Sequence, residues 1–169
     1  WTYTKSQELF FYLVVHPLAS KEQIGLDLWS DLSSEQLRNS LHSALYQLRK
    51  ALGKPEWVVF EQGKYSFNRS LNAWCDLYEF EALLEQGMKA GKPTALQAAE
   101  RTRVIEHLEA AARLWRGDFL ENLDTGEWAI YRREALRRVY LESLITLGQL
   151  HFAEGHYAVA AEFYQRILD

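Results

Sequence analysis

The stretch LWSDLSSEQLRNSLHSALYQLRKALG, residues 28–53, decides the fold. Ser33 and Ser34 are helix-capping residues, and Gly53 with Pro55 beyond it supplies a stop. The stretch therefore reads as one amphipathic helix over 34–52. On a wheel of about 100° per residue, Leu37, Leu41, Ala44, Leu45, Leu48 and Leu52 form a single stripe, the side expected to be buried. Asn39, Ser43, Tyr46 and Lys50 fall opposite, flanked by Gln36, His42 and Gln47, with Arg38 and Arg49 on the borders. Amide side chains can bond adenine bidentately, hydroxyls donate or accept, and Arg and Lys neutralise phosphates, so this face suits a major groove.

Upstream, a first helix is expected over 6–15, capped by Ser6 or Thr4 and stopped at His16-Pro17. A second starts at Ser20, whose hydroxyl pairs with Gln23 in a capping box. It carries Ile24, Leu26 and Leu28 or Trp29 as its apolar set and ends near Ser30-Asp31. Three helices joined by short polar turns form a helix-turn-helix core. Downstream, 57–60 (WVVF) and 64–67 (KYSF) have strand composition, and Glu61-Gln62-Gly63 supplies the glycine of a tight hairpin, with Lys64 at its tip. A helix followed by such a hairpin is how winged helix-turn-helix domains address DNA.

The remainder reads as helical. Asp76 caps a helix through Leu77, Phe80, Leu83 and Leu84 that ends near Gly87; a loop covers 88–94; helices follow over about 95–115, 125–152 and 156–168. Leu147-Gly148, Gly155, Tyr157, Ala160 and Tyr164 have the offsets of a tetratricopeptide helix pair. Gly148 and Ala160 are small enough to let the two helices approach, while Tyr157 and Tyr164 fill the groove. One such pair cannot bury its face alone, so the earlier helices must stack on it. The chain stops at Asp169 before another helix could close the array, as expected of a piece of something longer. The fold class is mainly α: a winged helix-turn-helix with a β-hairpin wing over 1–70, then a TPR-like α-helical domain over 71–169.

Composition narrows the function classes. Of 169 residues 48% are apolar and 14% aromatic, enough for a packed core and too rich for disorder. The net charge is −4, yet residues 1–68 hold seven basic and seven acidic side chains, so the deficit lies in the helical part. Arg38, Arg49, Lys50, Lys54 and Lys64 lie on the helix, the hairpin and their link. The single cysteine, Cys75, excludes an internal disulfide, fits a reducing compartment, and reads as a buried structural thiol among Trp74, Tyr78 and Phe80. Trp29, Trp57, Trp74, Trp115 and Trp128 sit at element ends, where a large ring can seal two layers. No signal peptide opens the chain, and the longest apolar run, 9–15, is too short to span a bilayer; a cytoplasmic protein with no membrane partner is expected. His16, His42, His107, His151 and His156 are scattered without metal spacing, and neither a phosphate-cradling glycine loop nor a nucleophile elbow is present. No enzymatic activity, catalytic residue, metal or cofactor is expected.

These residues bear a resemblance. Leu28-Trp29-Ser30-Asp31, Arg38-Asn39-Ser40-Leu41, Leu48 to Gly53 and the wing at 60–68, then Trp74, 76–84, Gly117-Asp118-Phe119-Leu120, Trp128 and 133–144, resemble SARP-type bacterial transcription activators over nearly the whole chain. These join an OmpR-like winged helix to a bacterial transcriptional activation domain. The resemblance implies that helix 34–52 enters the major groove of double-stranded DNA and the 57–67 wing grips the adjacent backbone. It places base contacts on His42, Ser43 and Gln47, and phosphate contacts on Asn39, Tyr46 and Arg49. It also implies that the helical domain serves self-association, as a homodimer on tandem sites, or contact with RNA polymerase. The family's small opening β-sheet would precede Trp1, and related helices often carry arginine where Tyr46 and Gln47 stand. A DNA-binding transcriptional regulator, an activator, is the function expected. The alternative is a helical-repeat protein-interaction module whose winged helix does not bind DNA.

Overall fold

The computed structural model describes residues 3–71, 73–89 and 96–168. The chain forms two compact units, one of residues 1–73 with 123–130, the other of 74–122 with 131–169.

The first unit is built on α1 (Thr4–Val15), α2 (Lys21–Leu28) and α3 (Ser34–Leu52). Both expected capping boxes form: Ser20 with Gln23 starts α2, and Ser33 with Gln36 starts α3. Glycine in the left-handed conformation, Gly53, ends α3. Leu37, Leu41, Ala44, Leu45 and Leu48 are buried, as the wheel requires, and Leu52 is half-buried. Leu9, Tyr12 and Leu13 of α1 and Ile24 and Leu28 of α2 complete that core. Gly25 lets α2 and α3 approach closely: a Cβ there would stand 2.3 Å from Leu37 Cδ2, so the Leu37 side chain would have to shift.

The wing is a three-stranded antiparallel sheet rather than a bare hairpin. A two-residue strand β1 (Ala19–Ser20) pairs with β3 (Lys64–Phe67), which pairs with β2 (Val58–Glu61), giving the order β1-β3-β2. The turn between β2 and β3 is Gln62-Gly63, with φ of 51° and 77°. Two consecutive positive φ values define a type I′ turn, whose twist matches the strands. Trp57 and Phe67 stack at 5.4 Å, and Phe10 of α1 meets Phe67 edge-on at 5.5 Å, which seats the wing on α1.

Residues 123–130 of this unit are joined to α1 through one buried carboxylate and the ring of Trp128. Glu8 accepts from Lys5 Nζ at 2.7 Å, from the Gly126 N–H at 3.1 Å and from the Trp128 indole N–H at 3.2 Å. Each of its oxygens is thereby satisfied, as a buried charge requires. Trp128 also meets Tyr12 edge-on at 5.3 Å, and the Tyr12 hydroxyl donates to Asp27 at 2.6 Å.

The second unit comprises α4 (Asp76–Met88), α5 (Ala98–Leu114), α6 (Glu127–Ala153) from residue 131 onward, and α7 (Tyr157–Leu168). Its core joins Phe80, Leu84, Val104, Leu108, Leu136, Tyr140, Leu144, Leu147 and Leu150. Trp115 stacks on Tyr140 at 4.3 Å. Arg166 of α7 donates to the Ala112 carbonyl at 3.2 Å and to the Tyr140 hydroxyl at 2.7 Å, and Arg132 pairs with Glu81. The tetratricopeptide reading of the last pair holds where it is tightest: a Cβ on Gly148 would come within 2.5 Å of the Tyr164 ring, and Ala160 is buried. Among the described residues no helix is long and apolar enough to cross a membrane.

Several expectations need correction. α1 starts at Thr4 with Tyr3 at its N-cap and no side-chain cap; Ser6 is buried and donates to the Tyr3 carbonyl. Leu26 is 73% exposed, because it sits two residues from both Ile24 and Leu28, about 200° round the helix from each. Trp74 is 69% exposed and seals nothing among the described residues, Cys75 is half-buried at the N-cap of α4, and Tyr157 lies outside the groove against Phe152. The loop expected over 88–94 lies outside the described residues from 90 onward, and Met88 is still helical.

The burial contrast on α2 makes a direct test. Ile24→Ala should cost about 2–5 kcal/mol of unfolding free energy, the range for a truncated core side chain. Leu26→Ala should change it by less than about 0.5 kcal/mol. Urea unfolding of the two variants checks this; equal losses would contradict the packing described.

Candidate nucleic-acid interface

The polar face of α3 follows from the burial of its leucines: what remains on the other side must face solvent. Arg38, Asn39, His42, Ser43 and Lys50 are exposed, and Tyr46 is 65% exposed. Gln47 is half-buried on the flank. Among the described residues the side chains of Arg38, Asn39, His42, Ser43, Tyr46 and Lys50 make no hydrogen bond or ion pair, so their donors and acceptors stand unused. They lie along about three turns of one helix, a length comparable to a groove-spanning contact.

Arg49 differs from the rest. Its Nη2 donates to the Val58 carbonyl at 3.0 Å, at the start of β2, and its buried Nε has no partner among the described residues. The guanidinium thus ties α3 to the wing. It also lies beside Tyr65 of β3, whose phenol is pushed up by burial, an effect the Arg49 charge partly opposes. Arg49 therefore holds the helix and the hairpin in one arrangement, a role that helical position alone did not announce.

Lys64 is exposed and opens β3, opposite Glu61 on one side and Ser20 on the other. The tip itself is Gln62-Gly63, one residue earlier than the sequence reading placed it. A two-residue loop ending in glycine puts the glycine at its second position, so counting back from Gly63 finds Gln62 as the exposed apex. Lys54, exposed between α3 and the wing, adds a further cation near that edge.

A winged helix-turn-helix followed by an α-helical domain is the architecture of this chain. Residues 75–169 match the family model described as the bacterial transcriptional activator domain, and the chain belongs to that family, one of transcriptional regulators rather than of enzymes. No curated protein matches it. Among solved structures, Mycobacterium tuberculosis EmbR in complex with a low-affinity phosphopeptide has a similar fold, with a TM-score of 0.62 over 98% of this chain at 19% identity. The chain spans about half of that protein, 53% of its length. The resemblance to SARP-type activators therefore stands, in fold and in family.

If Arg49 is a strut and its neighbours are surface, stability separates them. Arg49→Ala should cost about 1.5–3 kcal/mol, the range for a hydrogen bond to a charged group. Asn39→Ala and Ser43→Ala should stay within about 0.5 kcal/mol of the parent. Thermal melting of the three variants measures the contrast, and an unaffected Arg49→Ala would show that the strut carries no load.

Proposed function

We propose that this chain is a cytoplasmic, DNA-binding transcriptional activator that places α3 in the major groove of promoter DNA and its wing on the adjacent backbone. The observation that carries this reading is the continuous exposed face of α3, whose donors and acceptors have no partner among the described residues. His42, Ser43 and Gln47 read base edges. Arg38, Asn39, Tyr46 and Lys50 meet phosphates, with Arg49 fixing the helix against the wing and remaining donors available to a phosphate. Lys64 and the exposed Gln62 serve the wing contact. Residues 1–70 form the DNA-binding domain and 71–169 the activation domain. The latter contacts RNA polymerase or a second copy on tandem sites, supported by exposed Phe152, Tyr157 and Leu168. The same apolar side chains favour a second reading, a helical-repeat interaction module whose winged helix does not touch DNA.

Selection of bound duplexes from a random pool at low salt decides between them. The first reading expects a recurring sequence. Arg38→Ala and Lys50→Ala should then weaken binding across all sequences and each reduce the salt slope by about one. His42→Ala and Ser43→Ala should instead relax preference at particular base pairs by about 1–3 kcal/mol. A pool with no enrichment, while residues 71–169 hold polymerase in the full chain, favours the module.

A further inference from the structure

Away from the α3 face, the turn between α6 and α7 assembles a cluster with a chemistry of its own. α6 closes in a Schellman arrangement: the Gly155 N–H donates to the Phe152 carbonyl at 3.1 Å, and the His156 N–H donates to the His151 carbonyl at 2.9 Å. Gly155 supplies the left-handed residue, with φ 80°. The chain thereby doubles back, and the rings of His151 and His156 stand 5.8 Å apart. Glu154 joins them, its Oε2 3.5 Å from His156 Nδ1. One ligand-capable atom from each of His151, Glu154 and His156 lies within 4.8 Å of the others.

The second observation is the state of His151. It is 7% exposed, its ring stacked on Phe163 of α7 at 5.5 Å. Its Nε2 lies 3.1 Å from Glu109 Oε1 of α5, while its buried Nδ1 has no hydrogen-bond partner among the described residues. In the neutral ring, donation from Nε2–H to this carboxylate places the lone pair on Nδ1. A buried acceptor without a donor is costly, so Nδ1 is available to a ligand that approaches it. An imidazole whose far nitrogen is held by a carboxylate is the arrangement that orients histidines on metals.

We propose that His151 Nδ1, the Glu154 carboxylate and His156 bind one divalent transition ion, zinc being the best match. Two imidazoles and one carboxylate suit a borderline-soft ion and are poor ligands for calcium or magnesium. At ligand distances of about 2.0 Å, tetrahedral ligands stand about 3.3 Å apart, close to the Glu154–His156 separation. His151 is the fixed ligand; the exposed Glu154 and His156 close onto it, and a water completes the shell. The ion pins the end of α6 to the start of α7 and so stiffens the helix pair. Glu109 acts through His151 as a positioning residue. The spacing of the two histidines conceals this site in the sequence, because only the glycine-bent return brings residue 156 over residue 151.

The full chain, stripped with a chelator and titrated with zinc chloride in a calorimeter and in thermal melts, tests the site. One ion per chain and a zinc-dependent rise in Tm are expected. Glu154→Ala and His156→Ala, both at exposed positions, should keep the chelator Tm and lose the zinc-dependent rise. Glu109→Gln should keep the three ligands and weaken zinc about ten- to a hundredfold. A parent chain that melts identically with and without zinc overturns the proposal. So does a zinc response that survives in the Glu154→Ala, His156→Ala double variant.

Discussion

The burial of one leucine stripe governs the first unit. Leu41 and Leu48 of α3 are fully enclosed, each worth about 1.5–3 kcal/mol over exposure, so rotation of the helix about its axis is strongly opposed. That constraint, and nothing in the polar residues themselves, turns Asn39, Ser43, Tyr46 and Lys50 outward. The Arg49 bond to Val58 then sets where the wing stands relative to that face. The backbone of the face proposed to meet DNA is thus fixed by buried side chains on the opposite side of the helix, while its exposed polar side chains keep rotamer freedom that any partner must order.

Most of the local chemistry was readable in the sequence, and most of the non-local chemistry was not. The Ser20/Gln23 and Ser33/Gln36 capping boxes, the α3 stripe and the glycine hairpin all depend on residues within a few positions of one another, and all appear in the structure. Strand β1 was missed because two residues carry no periodicity, and it exists only through pairing with β3, over forty residues on. Nor does the sequence hint that Gly126 and Trp128 satisfy Glu8, since a carboxylate in a helix reads as an exposed charge until its partners are seen. Leu26 was different: its wheel position was available, and the error lay in counting apolar residues rather than placing them.

At the interface itself, which side chains face solvent was legible, because exposure follows from the stripe. Which of them are already committed was not. Arg49 and Lys50 are adjacent and equally cationic in sequence, yet one is bound to a carbonyl and the other is exposed. In the second unit the small residues of the last helix pair marked a close approach, which the structure shows at Gly148 against Tyr164, while Tyr157, expected in the same groove, lies outside it. The family match over 75–169 and the shared fold give that unit its setting, while its partners are a matter for the surface it exposes.

The proposed entry of α3 into the major groove is tested most directly by methylation interference at guanine N7, the acceptor that lines that groove. On a duplex selected by this chain, methylation of guanines clustered on one face should block binding, and Ser43→Ala should remove the interference at one or two of them. Binding that tolerates N7 methylation throughout the site would place the helix elsewhere and contradict the account.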